Sequence, residues 1–536
     1  MQKKRKITVT LLATVVVAAL AACSQKDSSP GNSAAPSVDP TSTGEQNAST
    51  IGYPEAFTYW VTKGSTTLMN NSEMAMYKEM ERITGTKVKF EHPPTGQELD
   101  QFNLMMVSGK MPDVIFYDWI NHYPDKAITE NKILRLNELI EEHAPNLSKL
   151  YEERPYIKKA VMSAEGNMYV FPLIGDDPRL TVFNGPIIRQ DWLDKLKLDV
   201  PTTIDEWEHV LTAFRDEDPN ENGKADEIPL LYNIVNTEYS YAFMGAFGIT
   251  SGFFKDQDTI KYGPFESAYK DFLTVMNRWY KNGLIDQDYV TVDGQLMDAK
   301  VTGDQVGAFV GWLGGNLGRY TNLMADKGTS FKLSGTPFPS LSQGGTSLAN
   351  HDPIFYGQGA AISATAKDPE KIVKWLDYAY GEEGHLLYNF GIEGESYTIV
   401  DGKPTFTDLI MNNPRGLSIP EALAEYTVMG TQGPFEFNAD GYEQYMTLAE
   451  QKEAQAQWSK ADFSKLMPTL YMTIEEQTRF SAIMADLETY RQEMTNKFIM
   501  GVEALDKFED YIKTLESMDI KEAIQIQQEA YNRYLK

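Results

Sequence analysis

Residues 218 to 229 read DPNENGKADEIP. Asp218, Asn220, Asn222 and Asp226 place oxygen donors at positions 1, 3, 5 and 9 of this stretch. Gly223 at position 6 permits a sharp turn, and Lys224 at position 7 can offer its carbonyl. Calcium takes six to eight hard oxygens, and this spacing wraps such donors around one point. A helix-loop-helix site also needs a bidentate Glu at position 12, where this chain has Pro229, so that motif is not expected. Glu227 at position 10 can reach the gap from just past the turn. A metal-free Asx turn is the other reading of the same residues.

A second group of residues suits a sugar. Pyranose rings have apolar faces and hydroxyl edges, so their sites combine flat aromatic platforms with polar side chains that bond hydroxyls. Trp60 with Lys63 and Ser65, and Tyr117 with Asp118 and Trp119, follow or close strand-like stretches. Further along stand Trp312 in GWLGG, Asn350, His351, Asp352 and Tyr356 in NHDPIFYG, and Glu395 with Tyr397 in GIEGESY. Gly311, Gly314 and Gly315 leave Trp312 without bulky neighbours, which favours an exposed ring. Lys63, Arg179 and Arg189 are possible clamps for an acidic sugar, although Arg189 also fits an ion pair with Asp191. Trp192, Trp207, Trp279, Trp375 and Trp458 fall in helix-like patterns and read as packing residues.

Other chemistry finds little purchase. The six histidines form neither an H-E-x-x-H pattern nor a close pair, and the chain has no nucleophile elbow or P-loop. Paired carboxylates such as Asp118 and Glu395 could flank a glycosidic bond, as in a secreted lipoprotein hydrolase, but 76 acidic residues make some such pair inevitable. A calcium-dependent adhesion or sensor lipoprotein is a further alternative.

The elements that must carry these residues read as α/β. FTYWV (57–61) is strand-like, Met76, Tyr77, Met80 and Ile83 share a helical face before Gly85, and VKFEH alternates. Residues 97–108 follow as a helix with Leu99, Phe102 and Met106 inward, then VIFYDW as a strand. Strand-helix-strand order implies parallel crossovers, and ligands of such sheets collect beyond the carboxyl ends of the strands. A helix over 203–214 leads into the acidic loop. The chain has 536 residues, 42% of them hydrophobic, more than one core usually fills.

The amino terminus is of another kind. MQKKRK precedes ITVTLLATVVVAALAA, the layout of a secretory leader over 1–22. Leu20-Ala21-Ala22-Cys23 resembles a bacterial lipobox, in which the protein's only cysteine carries diacylglycerol. Residues 24–50 hold one large aliphatic side chain, Val38, and no aromatic, so 23–51 reads as a flexible tether. Loss of the leader leaves 45 basic against 76 acidic residues, a surface that repels nucleic acid and anionic lipid.

VSGKMPDVIFYDW, AEGNMYVFP, IIRQDWLDKLKLDVPTTIDEWEHVLTAF, WYKNGLIDQDY and KVTGDQVGAF together resemble successive landmarks of extracellular solute-binding proteins of ABC importers, the sugar-binding family 1 type. FGIEGESYTIVDGKPTFTD and the tail from Phe498 to Lys536 resemble the large lipoprotein branch associated with oligosaccharide and aldouronate uptake. The resemblance implies a two-lobed, periplasmic-binding-protein-like body over 52–536, with a hinged cleft and a long helical C-terminal region. Its first lobe would begin over 52–180, and the chain would cross between lobes more than once. It also implies a monomer that closes on carbohydrate, delivers it to membrane permease subunits, and does no covalent chemistry. Such a protein would sit at the outer face of the cytoplasmic membrane. Alginate-binding members carry a calcium loop matched here by Asp218, Asn220, Asn222, Lys224, Asp226 and Glu227, which implies structural calcium.

Overall fold

FTYWV becomes the strand Ala56–Val61, and the two stretches that follow it become Lys87–Glu91 and Val114–Asp118. Both pair with Ala56–Val61 in parallel. The crossovers are the helices Ala75–Thr84 and Glu98–Ser108, each ended by a left-handed glycine, Gly85 or Gly109. In the second helix the inward residues are Phe102 and Met105, whereas Leu99 is exposed. The expected inward face therefore turns by about one residue. Phe355–Ile362 and Phe171–Ile174 complete a five-stranded sheet, with Phe355–Ile362 antiparallel to both neighbours.

A second, four-stranded sheet runs Leu333–Gly335, Asn184–Arg189, Val306–Trp312, Ile228–Leu231. Each sheet anchors its own hydrophobic core. Tyr59, Ile115, Phe171 and Trp375 belong to the first, and Trp192, Trp207, Phe309 and Trp458 to the second. The fold is thus two-lobed α/β, and the chain passes between lobes repeatedly. Phe171–Ile174 lies in the first sheet, Asn184–Arg189 in the second, Phe355–Ile362 in the first again, and Trp458 in the second core.

The structure, a computed structural model, describes residues 51–63, 69–325, 330–428 and 433–536. The leader, Cys23, the tether to Thr50, and Ser65 lie outside the described residues. The compact unit runs from Ile51, whose carbonyl accepts from Lys374 Nζ, to Lys536.

The carboxyl-terminal region is helical, as Ile474–Met500, Phe508–Ser517 and Ile520–Leu535. Thr473 and Glu476 form a reciprocal cap at the start of the first helix, and Gly501 at φ 73° stops it. Leu487, Phe498 and Ile499 bury one face in the second lobe. Asn277 Nδ2 donates to the Phe498 carbonyl at 2.7 Å and fixes this helix on Ser267–Lys281.

Candidate functional site

The strand Val306–Trp312 ends on Trp312, and Ile228–Leu231 leads into the helix Ile234–Ser240. These two parallel strands bring Trp312, Asn236 and Tyr239 to one end of the second sheet. The Trp312 ring is half-buried, lies 5.0 Å from the Tyr239 ring at 40°, and donates from Nε1 to Asn236 Oδ1 at 3.3 Å. Asn316 folds back to accept from the Trp312 backbone N–H at 2.8 Å. A Cβ on Gly311 would come within 2.8 Å of that Asn316 oxygen, so Gly311 serves this turn. A Cβ on Gly314 would meet nothing within 4 Å, and one on Gly315 would meet the Trp312 Cβ at 3.9 Å.

Asp352 reaches this cluster from the segment that returns to the first lobe. Its Oδ1 accepts from the Tyr239 hydroxyl, and its backbone N–H donates to the Thr181 carbonyl at 2.7 Å. Burial pushes the Asp352 carboxyl up to about 6. Tyr356 donates to the Leu180 carbonyl at 2.9 Å, and its hydroxyl is raised by burial and then by Asp352. Tyr442 is raised to about 12 by the same two causes. Tyr239 thus links the Trp312 ring to Asp352, forty residues further along the chain, and Asp352 in turn acts on the nearby Tyr356.

The first sheet ends on Tyr117 and Asp118. Asp118 Oδ2 accepts from Asn121 at 2.7 Å, and Gln358 stands in register with Asp118. Gly357 adopts φ 84°, and a Cβ there would meet Ile120 at 2.2 Å and Asp118 Oδ1 at 3.0 Å. Asp118 Oδ1, Gln358 Oε1 and both amide atoms of Asn184 are shielded from water without a hydrogen-bond partner. Asn184 stands in register with Trp312 in the second sheet, as Gln358 does with Asp118 in the first. Buried polar atoms without partners are rare and costly, which makes them natural acceptors and donors for a ligand's hydroxyls.

Several expected site residues lie elsewhere. Trp119 is fully buried, with its ring 5.3 Å from Phe102 and Nε1 bonded to the Ile115 carbonyl at 3.1 Å. The backbone turns helical at Trp119 and swings the indole back into the first core. Trp60 is also a core residue, 5.4 Å from the Tyr117 ring, because the parallel part of this mixed sheet is covered on both faces. Tyr117 is half-exposed but stacks on Phe102 at 4.4 Å. Lys63 follows the strand Ala56–Val61, where its charge adds to the burial that lowers the His92 pKa. His351 packs on Phe463 at 5.1 Å and lines a cavity of about 340 Å³ with Asp176, Asp177 and Thr181, at the crossings. Tyr397 is buried in a small third core against Phe390, and Glu395 is exposed ahead of it, its carbonyl bonded to Thr407. Neither joins the Trp312 cluster, and Glu395 acts instead on Tyr426. Sequence reasoning missed Asn184, Asn236, Tyr239 and Gln358, whose neighbours across the sheets are remote in the chain.

The acidic loop leaves the helix Ile204–Asp216, which has a reciprocal Thr203–Glu206 cap and buries Trp207, Val210, Leu211 and Phe214. Asp218 accepts from the Asn222 and Gly223 N–H groups at 3.1 and 2.9 Å, and Asn220 Oδ1 accepts from Asn222 N–H at 3.0 Å. Asn222 Nδ2 donates to Asp226 at 2.8 Å. Asn220 and Gln305 side chains tie the loop to the sheet through the Asp304 carbonyl and Asp226. Glu227 Oε1 is buried without a partner, and its carboxyl is raised by burial first, with Asp218 and Asp226 adding. Among the described residues no three His, Cys, Asp or Glu side chains form a group that could hold a metal ion, so Asp218, Asp226 and Glu227 do not make one by themselves here. The donor set fits a hard cation, with Glu227 its unanswered oxygen.

Bacterial extracellular solute-binding proteins match residues 63–385 as a family. The chain is 25% identical over 494 residues to the fructooligosaccharide ABC transporter substrate-binding protein FusA of Streptococcus pneumoniae, covering 86% of this chain and 87% of FusA. It is 26% identical over 373 residues to lipoprotein LipO of Bacillus subtilis, covering 66% and 69%. Among solved structures, an HMO-binding, ABC-transporter-associated solute-binding protein from Bifidobacterium longum infantis superposes with TM-score 0.75 at 22% identity, over 91% of this chain and 100% of that one. The alginate-binding protein AlgQ2 superposes with TM-score 0.72 at 24% identity, over the same shares. With its two sheets, its repeated crossings and this match over more than half its length, the chain belongs to the bacterial extracellular solute-binding protein family.

Proposed function

We propose that this protein is the extracytoplasmic binding component of an ABC importer, tethered to the outer face of the cytoplasmic membrane through Cys23. It captures an oligosaccharide as its lobes close, then presents it to permease subunits as a monomer. The observation that carries this reading is Trp312, a half-buried ring edged by Asn236, Tyr239 and Asp352 at the end of the second sheet. Such a ring stacks on a sugar face while amide, hydroxyl and carboxylate bond its edge. Asn184, Asp118 and Gln358 supply further unanswered polar atoms. FusA, whose name states a fructooligosaccharide cargo, and LipO, a lipoprotein, support the cargo class and the anchor.

The protein performs no covalent step on its cargo. Calcium, held by Asp218, Asn220, Asn222, Asp226, Glu227 and the Lys224 carbonyl, braces the loop against the second sheet. The structure of AlgQ2 described as without calcium ion supports this reading. Isothermal titration of the protein against neutral and acidic oligosaccharides, with recovery of the sugar afterwards, tests the proposal. Binding with intact recovery supports it, and either turnover or the absence of binding to every sugar overturns it.

A further inference from the structure

Beyond Phe463, which packs on the second core, the chain reaches over to the first lobe and returns. Lys465 is still held in the second lobe, where its carbonyl accepts from Lys255 N–H at 3.0 Å. Tyr471 then packs against the first core. Its hydroxyl donates to the Ala160 carbonyl at 2.7 Å and lies 3.2 Å from the hydroxyl of fully buried Tyr169. The helix Ile474–Met500 follows and runs back into the second core through Leu487 and Phe498.

The two ends of this contact differ in stiffness. Arg533 donates to the Tyr471 carbonyl at 3.1 Å and holds Glu476, which caps Ile474–Met500 together with Thr473. Ile520 and Ala523, on the same helix as Arg533, belong to the second core, so the Tyr471 backbone is fixed to that lobe. Toward the first lobe Tyr471 offers a ring and a hydroxyl, which rotates to suit its acceptor. Exposed Lys159, 4.3 Å over the Tyr534 ring, adds a looser contact beside it. Tyr471 also lines two cavities, of about 250 and 310 Å³, each walled by both lobes. Tyr123 and Asp125 meet Phe480 and Ser481 around the smaller, and Met162 meets Ala530 around the larger. Close-packed interiors resist deformation, whereas walls parted by a void can approach or separate without disturbing either core.

Resting on the reading that the lobes close, we infer that Tyr471 is a positioning residue for closure, the pivot on which the second lobe and its C-terminal helices turn against the first. The turn exchanges space between the two cavities. The test is pulsed dipolar spectroscopy on the full chain in detergent, with Cys23→Ser so that only introduced thiols carry spin labels. Val107→Cys with Val502→Cys, both at exposed positions, reads the distance between lobes. Val107→Cys with Lys149→Cys, and Val290→Cys with Val502→Cys, read distances inside each lobe. No sugar is added, so the result is independent of the cargo. Tyr471→Phe should broaden the distribution between lobes, and Tyr471→Ala should broaden it further. Ser481→Trp, which fills the smaller cavity from an exposed helix position, should narrow it. The distances inside the lobes should not change. A distribution between lobes that Tyr471→Ala or Ser481→Trp leaves unaltered, or a change matched inside a lobe, overturns the pivot and leaves the carbohydrate reading standing. A native distribution between lobes as narrow as those inside them overturns pivot and closure together.

Discussion

The Tyr239 hydroxyl donates to Asp352 across 113 residues of chain, joining a second-lobe helix to the segment that leads back to the first-lobe strand Phe355–Ile362. This bond orients a carboxylate beside Trp312 and couples the ring's surroundings to a lobe crossing. Ligand contact there can therefore act on lobe position, as closure of hinged binding proteins requires.

Trp312→Ala should weaken sugar binding by about 2 kcal/mol or more, as truncation of a central aromatic does, with a small change in thermal midpoint. Trp119→Ala should behave in the opposite way. Its indole is fully buried, so about 3–5 kcal/mol of stability is lost. Calorimetry and denaturant unfolding on both variants separate the roles, and a Trp312 variant with unchanged affinity would remove the platform.

Asp352 makes stability and binding respond to pH. Its folded value, about 6, lies above its ordinary 3.8. Between these values the folded state holds more protons than the unfolded, so this group's contribution to stability falls as pH rises from about 4 to 6. Asp377, also raised to about 6 by burial, acts in the same direction and stays in place when Asp352 is replaced. Unfolding of Asp352→Asn at pH 4.5 and 7 should show a smaller loss than the native protein. Sugar affinity of the native protein should rise through pH 6 as the carboxylate becomes a pure acceptor.

Calcium should raise the thermal midpoint and chelation should lower it. A cation at 100 times its dissociation constant stabilises by about 2.7 kcal/mol. Asp218→Asn and Glu227→Gln should each reduce that shift, because Asp218 anchors the turn and Glu227 carries the unpartnered oxygen. A midpoint indifferent to calcium in the native protein would return the loop to a plain Asx turn.

Arg179→Ala should change lobe closure more than folding. Its guanidinium is 38% exposed, so the screened ion pairs to Asp440 and Glu443 contribute about 1 kcal/mol or less to stability. They nevertheless join the first crossing to the helix Ala439–Tyr445. Small-angle scattering with and without sugar should show a smaller compaction in the variant, and an unaltered compaction would argue against this link.

Local chemistry was readable from the chain alone. The helix face of Met76, Tyr77 and Met80, though not Ile83, which is exposed, the stop at Gly85, the strand FTYWV and the donor residues of the acidic loop depend on residues a few positions apart. Their periodicity and turn preference are written in short windows. The packing role of Trp192, Trp207, Trp279, Trp375 and Trp458 was legible for the same reason, and all five are fully buried.

The tertiary structure decided which polar and aromatic residues meet. Asn184 stands opposite Trp312 through an antiparallel register, and Asp352 reaches Tyr239 through a lobe crossing, neither of which leaves a mark in any short window. Trp60 and Trp119, which end or follow strands as platforms would, are buried because the sheet is covered on both faces and the chain turns inward after Asp118. Whether a ring beyond a strand faces ligand or core depends on what packs over it, here Phe102 of the crossover helix beside both Trp60 and Trp119.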